Sequence, residues 1–269
     1  PPRALYSLAE RVLFLSRRAH DLERRAKGKL AIVRTGRDLA KVLEGKNNGR
    51  QQIATVLAME GMHPLEGKAE NLDRFYDAGV RMMGPSHFFD NEMGGSAHGL
   101  SGGGLTEFGK SIIAKMEEKR IIVDLAHASP ALINDVLNQA TRPTVVSHTG
   151  IKATCDNDRN LSDDQIRRIA ERGGLIGIGF WETAVCDNTP AGIARTIKVA
   201  VEMIGVDHVA FGSDFDGAVT TAFDVTEMVQ LTQAFGVDLT PYLGEQGVPV
   251  QMTSQAQSLV DRYRGAGAR

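Results

Sequence analysis

Residues 121–150, IIVDLAHASPALINDVLNQATRPTVVSHTG, decide the fold. The stretch opens on a short run of branched apolar residues, the composition of a buried strand. His127 follows it. Pro130 then begins a helical pattern over 130–140, at a position where the missing amide of proline costs no hydrogen bond. A second β-rich run, 144–146, leads directly to His148. Strand alternating with helix implies a parallel sheet with covering helices.

Working outward, the same rhythm extends in both directions. Short apolar runs occur at 30–33, 53–59, 80–83, 121–125, 144–146, 175–180 and 209–211. Helical patterns lie between several of them, at 70–79, 107–119, 130–140, 162–172 and 190–204, with Ser162 near the start of one. Residues 3–27 place Leu5, Leu8, Val12, Leu13 and Leu15 at helical spacing among Arg and Glu, an amphipathic helix.

Five of the strand ends are polar. VLAME, MMGPSH, IIVDLAH, TVVSH and VAFGSD end in Glu60, His87, His127, His148 and Asp214. In a closed β/α barrel all strand C-termini lie on one face, so these side chains would converge. A doubly wound sheet would spread them along an edge. The expectation is therefore an α/β chain with a TIM-like (β/α)8 barrel, forming one domain over 1–269. The Gly- and Ser-rich segment 91–106 reads as a mobile loop above that face.

Composition narrows the function classes. The 269 residues are 42% hydrophobic and 24% charged, as in an ordinary globular chain able to bury a large core. With 31 Lys and Arg against 33 Asp and Glu, the formal charge of -2 gives no reason to expect a nucleic-acid partner. No apolar run has the roughly 20 residues that cross a bilayer, and the N-terminal residues do not form a signal peptide. Cys155 and Cys186 could form one bridge, but read as two free thiols in a reducing compartment; a cytoplasmic setting is expected.

Histidines and a glutamate on neighbouring strands form a hard N/O donor set suited to Zn, Mn or Fe. A carboxylate can bridge two such ions, and Asp214 beside them would serve as proton acceptor and donor. Arg159, in DNDRNLSDD, reads equally as a bidentate clamp for a substrate carboxylate or as a surface ion pair with Asp156, Asp158 or Asp163. His63 reads as a turn residue, with support of the metal ligands as the alternative, and His98 as a loop residue, with reach to substrate as the alternative; His20 and His208 read as surface residues. SGGGL at 101–105 lacks the Gly-Lys-Ser/Thr of a phosphate loop, and GIGF at 177–180 lacks the rest of a dinucleotide fingerprint.

AMEGMHPLEG, GVRMMGPSHFFDN, IIVDLAHAS, TVVSHTG, DNDRNLSDDQ and GSDFDG, in that order, resemble the membrane (renal) dipeptidase family, zinc peptidases of the amidohydrolase superfamily. The resemblance covers about 28–230. It implies a β/α barrel hydrolysing dipeptides through a metal-bound hydroxide. Glu60 would bridge two metals, with His127 and His148 completing the second site. His87 would stabilise the oxyanion of the tetrahedral intermediate and so touch substrate. Arg159 would hold the C-terminal carboxylate of the dipeptide, and Asp214 would act as general base and acid. The expected cofactor is Zn2+, and the resemblance is compatible with a homodimer. Sibling readings are an amidohydrolase acting on another amide or a lactone, and a non-catalytic binding member.

Two features depart from the family pattern. No His-x-Asp occurs in the sequence, although the family carries one on its first strand to supply the first metal. With it, two zinc ions are expected per site; without it, one. The family's Gly-Gly-Asn stretch is also replaced by FGVDLTPYLGEQGVPVQMTSQAQSLVDRYRG. Seven strand runs against the eight of a barrel point the same way, to a first, His-x-Asp strand lying outside this chain.

Overall fold

Ser7 is extended, and its side chain accepts the Glu10 amide, so the first long helix begins there. In the computed structural model, which describes residues 3–225 with 228, 231, 234 and 235, a short turn of helix, α1 (Arg3–Tyr6), precedes this helix, α2 (Leu8–Arg25). There follow β1 (Leu30–Ile32), α3 (Gly36–Asn47), β2 (Ile53–Thr55), β3 (Leu57–Met59), α4 (Glu70–Asp77) and β4 (Val80–Met83). Next come α5 (Glu107–Lys119), β5 (Ile122–Val123), α6 (Pro130–Gln139), β6 (Val145–Thr149) and α7 (Asp163–Glu171). The last elements are β7 (Leu175–Ile178), α8 (Glu182–Val185), α9 (Pro190–Ile204) and β8 (Val209–Phe211). The C-terminal stretch that replaces the Gly-Gly-Asn segment lies, from 236 onward, outside the described residues.

The chain is an α/β fold with parallel sheets, as the alternation predicts. Three sheets run in the orders β1-β2, β3-β4-β5 and β6-β7-β8. The pairings β1–β2, β3–β4, β4–β5 and β7–β8 are parallel. By contact the chain divides into two units, Pro1–Ser147 with Glu171–Gly174, and His148–Ala170 with Leu175–Arg269. The core of the first is built from Leu72, Phe75, Met83, Ile112, Ile113, Met116, Leu125 and Leu132, all at 1% exposure or less. In the second, the Phe180 ring stands 5.9, 5.7 and 5.6 Å from those of Phe211, Phe215 and Phe223.

The five helical patterns read between strands reappear as α4, α5, α6, α7 and α9, because each buries an apolar stripe. Thr106, Ser129 and Thr189 cap α5, α6 and α9 through side-chain bonds to Gly109, Leu132 and Gly192. α3 escaped the reading since Val42 is its only buried residue. A capping box between Thr35 and Asp38 starts it instead. The run 53–59 is two strands rather than one. The chain changes partner at Val56, with β2 paired to β1 and β3 to β4.

One expectation is corrected. Cys155 and Cys186 form a disulfide, so they are not free thiols. Sequence spacing gives no hint that α8 brings Cys186 back beside Cys155. Residues 91–106 form a loop tied at several points by backbone hydrogen bonds. Asn91 and Gly94 exchange backbone bonds, Thr106 N donates to Met93 O at 3.0 Å, and Ser129 N donates to Gly95 O at 3.1 Å.

Candidate metal centre

In the first unit the strand ends are fixed level with one another. Gly84 N donates to Met59 O at 2.9 Å, Asp124 N to Met83 O at 3.0 Å, and Leu125 N to Val145 O at 2.7 Å. Glu60 therefore leaves β3 beside the turn that follows β4 and carries His87. His127 leaves β5 through a left-handed backbone, φ 61°. A non-glycine residue there costs about 1–2 kcal/mol. The buried carboxylate of Asp124 holds this turn, accepting from Ala126 N at 3.1 Å and Ser147 N at 2.9 Å.

These turns bring three predicted residues together. His127 Nε2 lies 2.9 Å from Glu60 Oε1, and His87 Nε2 lies 3.7 Å from Glu60 Oε2. One ligand atom from each of Glu60, His87 and His127 falls within 4.8 Å of the others. Donors at about 2.0–2.2 Å from a tetrahedral zinc stand roughly 3.4 Å apart. The cluster thus fits a divalent ion with small side-chain adjustments, and its two imidazoles and a carboxylate are the right chemistry. His127 is buried, with 8% of its side chain exposed, while Glu60 at 47% is open to solvent.

Gly61 and Ser96 position His87. Gly61 has φ 80°, and a Cβ there would meet His87 Cβ at 2.9 Å and His63 Nδ1 at 3.0 Å. The Ser96 hydroxyl donates to His87 O. Phe88 closes one side, its ring centroid 5.6 Å from that of His127. His98, which reads from sequence as a plain loop residue, reaches His127: its Nε2 is 3.2 Å from His127 Nδ1. Nothing in the Gly-rich spacing signals that contact, nor the role of Asp90, which accepts from Ser96 N, Leu100 N and Ser101 N. Those backbone donors, Ser96 foremost, hold the Asp90 carboxyl below its usual range.

The second unit carries the other predicted residues. His148 lies on β6, its ring 5.8 Å from that of Trp181. Arg159 donates from Nη2 to His148 O at 2.9 Å, and its guanidinium carbon stands 5.7 Å from the Trp181 ring centroid. Buried Asn160 organises this loop, accepting from Gly150 N at 3.0 Å and donating to Cys155 O at 2.7 Å and Ala184 O at 3.0 Å. The disulfide ties the same loop to the end of α8. Asp214 adopts φ 58° in a separate turn closed by Gly217 N donating to Asp214 O at 2.9 Å. A Cβ on Gly217 would fall 2.3 Å from an Asp214 carboxylate oxygen. His127 and Asp214 are two of the few non-glycine residues with positive φ, a strain found preferentially at working sites.

Comparison with known proteins places the chain in a family. The family model described as "Membrane dipeptidase (Peptidase family M19)" matches residues 8–236. A Klebsiella pneumoniae protein named for its place in the pqqA 5' region is 32% identical over 203 residues, 71% of this chain and 73% of its own. Dipeptidase aclJ of Aspergillus oryzae is 34% identical over 173 residues, 62% of this chain but only 41% of its own length. Among solved structures, a Rhodobacter sphaeroides metallo peptidase bound to a phosphinate mimic of the dipeptide L-Ala-D-Ala superposes with a TM-score of 0.65. It is 24% identical, over 93% of this chain and 67% of that one, and so is similar in fold.

Proposed function

Since this chain belongs to the membrane dipeptidase family, Peptidase family M19, we propose that it is a metal-dependent dipeptidase that uses zinc. The observation that carries the proposal is the Glu60, His87 and His127 cluster, three donor atoms within 4.8 Å at adjacent strand ends. A bound divalent ion supplies Lewis acidity and lowers the pKa of water to near neutrality. Glu60, exposed and offering two oxygens, and His127, through Nε2, would hold the ion. His148 is assigned as a further ligand on the family resemblance.

The remaining roles belong to side chains acting on substrate. Arg159 pairs with the C-terminal carboxylate of the dipeptide in a charge-assisted fork. His87 donates to the oxygen that becomes negative when the scissile carbon turns tetrahedral. Asp214 takes a proton from the attacking water and returns it to the leaving amine. The donor geometry also favours a second reading, in which His87 is itself a metal ligand.

The test is hydrolysis of L-Ala-D-Ala by the purified chain with zinc, followed by amine release. Asp214→Asn should lower kcat by about 10²–10⁴, and Arg159→Met should raise KM by about 10- to 100-fold. Normal turnover by Asp214→Asn overturns its assignment. His87→Ala separates the two readings: zinc content retained with kcat lost supports oxyanion stabilisation, and zinc lost supports ligation. Hydrolysis of acyl-amino acids or lactones in preference to dipeptides would move the chain to a sibling amidohydrolase activity.

A further inference from the structure

His98 stands with its Nε2 3.2 Å from His127 Nδ1, on the opposite side of that ring from Glu60. The neighbouring chain is held so that it stays there. Ala97 N donates to His127 O at 2.8 Å, and His98 N donates to Ser96 Oγ at 3.0 Å. Asp90 collects Ser96 N at 2.8 Å through one oxygen, and Leu100 N at 3.0 Å and Ser101 N at 2.9 Å through the other. A Cβ on Gly99 would fall 1.8 Å from Asp90 Oδ1, so the residue after His98 has no room for a side chain. Phe88 packs edge-on against the His98 ring, centroids 5.4 Å apart. Five residues thus fix an exposed histidine against a buried one, far more restraint than a surface loop needs.

An imidazole that ligates a metal through Nε2 must carry its proton on Nδ1, and a hydrogen-bond acceptor at Nδ1 sets that tautomer and the ring angle. We propose that His98 is a positioning residue for the metal centre, its Nε2 accepting the Nδ1 proton of His127 so that the His127 Nε2 lone pair faces Glu60 and His87. The proposal rests on the metal-dependent reading of the site. In the protein without metal the same contact runs the other way: His127 Nε2–H donates to Glu60, and His98 Nε2–H donates to His127 Nδ1. A histidine can donate or accept at one nitrogen by exchanging tautomers, which a leucine cannot.

The experiment compares the wild-type chain with His98→Leu, which removes the contact, and His98→Gln, whose amide can donate or accept. His98 is exposed, so thermal melts of the three metal-free proteins should stay close to one another. Zinc affinity, measured by competition with a chromophoric chelator, should fall about 10- to 100-fold in His98→Leu and recover largely in His98→Gln. Long-range ¹H–¹⁵N spectra of the histidine rings give the second readout. In the zinc-loaded wild type His127 should be a pure Nδ1–H tautomer, and in the metal-free wild type a pure Nε2–H tautomer. In metal-free His98→Leu the two tautomers should mix. Unchanged zinc affinity in His98→Leu, an unchanged His127 spectrum, or a zinc-bound shift at His98 Nε2 overturns the proposal. If the wild type binds no zinc, the proposed function fails, and the metal-free spectra alone still decide for or against the His98 contact.

Discussion

Breaking the Cys155–Cys186 bond should loosen the loop that carries Arg159 and lower stability by a predictable amount. The bond closes a sequence separation of 31 residues. In the chain-entropy description such a cross-link removes about 12 cal/mol/K from the unfolded ensemble, or about 3.7 kcal/mol at 25 °C. For a chain of this length that corresponds to a fall in Tm of roughly 7 °C. The loss should be local in its functional effect. Cys155 O is one of the acceptors for Asn160, the residue that also receives Gly150 N, and Arg159 lies directly before it. Freed of the cross-link, this loop holds Arg159 less firmly, so KM for dipeptide should rise more than kcat falls. The assay is denaturant unfolding with and without dithiothreitol, with the Cys155→Ala/Cys186→Ala double variant as a control insensitive to reductant. Thiol titration of the denatured, unreduced protein should find no free thiol in the pair. Two titratable thiols, or a midpoint that reduction does not move, would refute the reasoning.

Three further outcomes follow from the first unit. Gly61→Ala puts a side chain at φ 80° and within 2.9 Å of His87 Cβ; it should cost about 1–2 kcal/mol in a melt and lower kcat/KM by up to about 10²-fold as His87 shifts. Melts and kinetics matching the wild type would contradict that packing. The Asp90 carboxyl is held below the ordinary carboxylate range, chiefly by the Ser96 amide, so its folded-state pKa lies beneath its unfolded one. Its contribution is then complete above about pH 4 and lost as pH falls through the folded value, and the melting difference between wild type and Asp90→Asn should shrink below that point. Chelation of the protein should abolish dipeptide hydrolysis and lower Tm in the wild type, with zinc restoring both; Glu60→Gln should make Tm insensitive to chelator.

The clustering of Glu60, His87 and His127 was legible in part because strand ends are short and local. Glu60, His87 and His127 each follow an apolar run by one to four residues, and in a parallel sheet such positions share an edge. His98 was not legible in the same way. Its partner is 29 residues away, and the bond depends on how Asp90 folds the glycine-rich segment back over β5. Gly99 and Gly61 look alike in sequence, yet one avoids a carboxylate and the other a histidine. α3 was missed for the opposite reason. It buries only Val42, so no apolar stripe marks it.

What the amino-acid order determined by itself is the alternation of strand and helix, the helix starts at Pro130 and near Ser162, and the chemistry at each strand end. These depend on propensity, side-chain period and hydrogen bonds between residues a few places apart. Tertiary structure alone decided the rest: the Cys155–Cys186 bond, the division of 53–59 between two strand partners, and the contact of His98 with His127. Each joins groups whose approach is set by the path of the chain between them. No spacing in the sequence encodes that path until the intervening elements have packed.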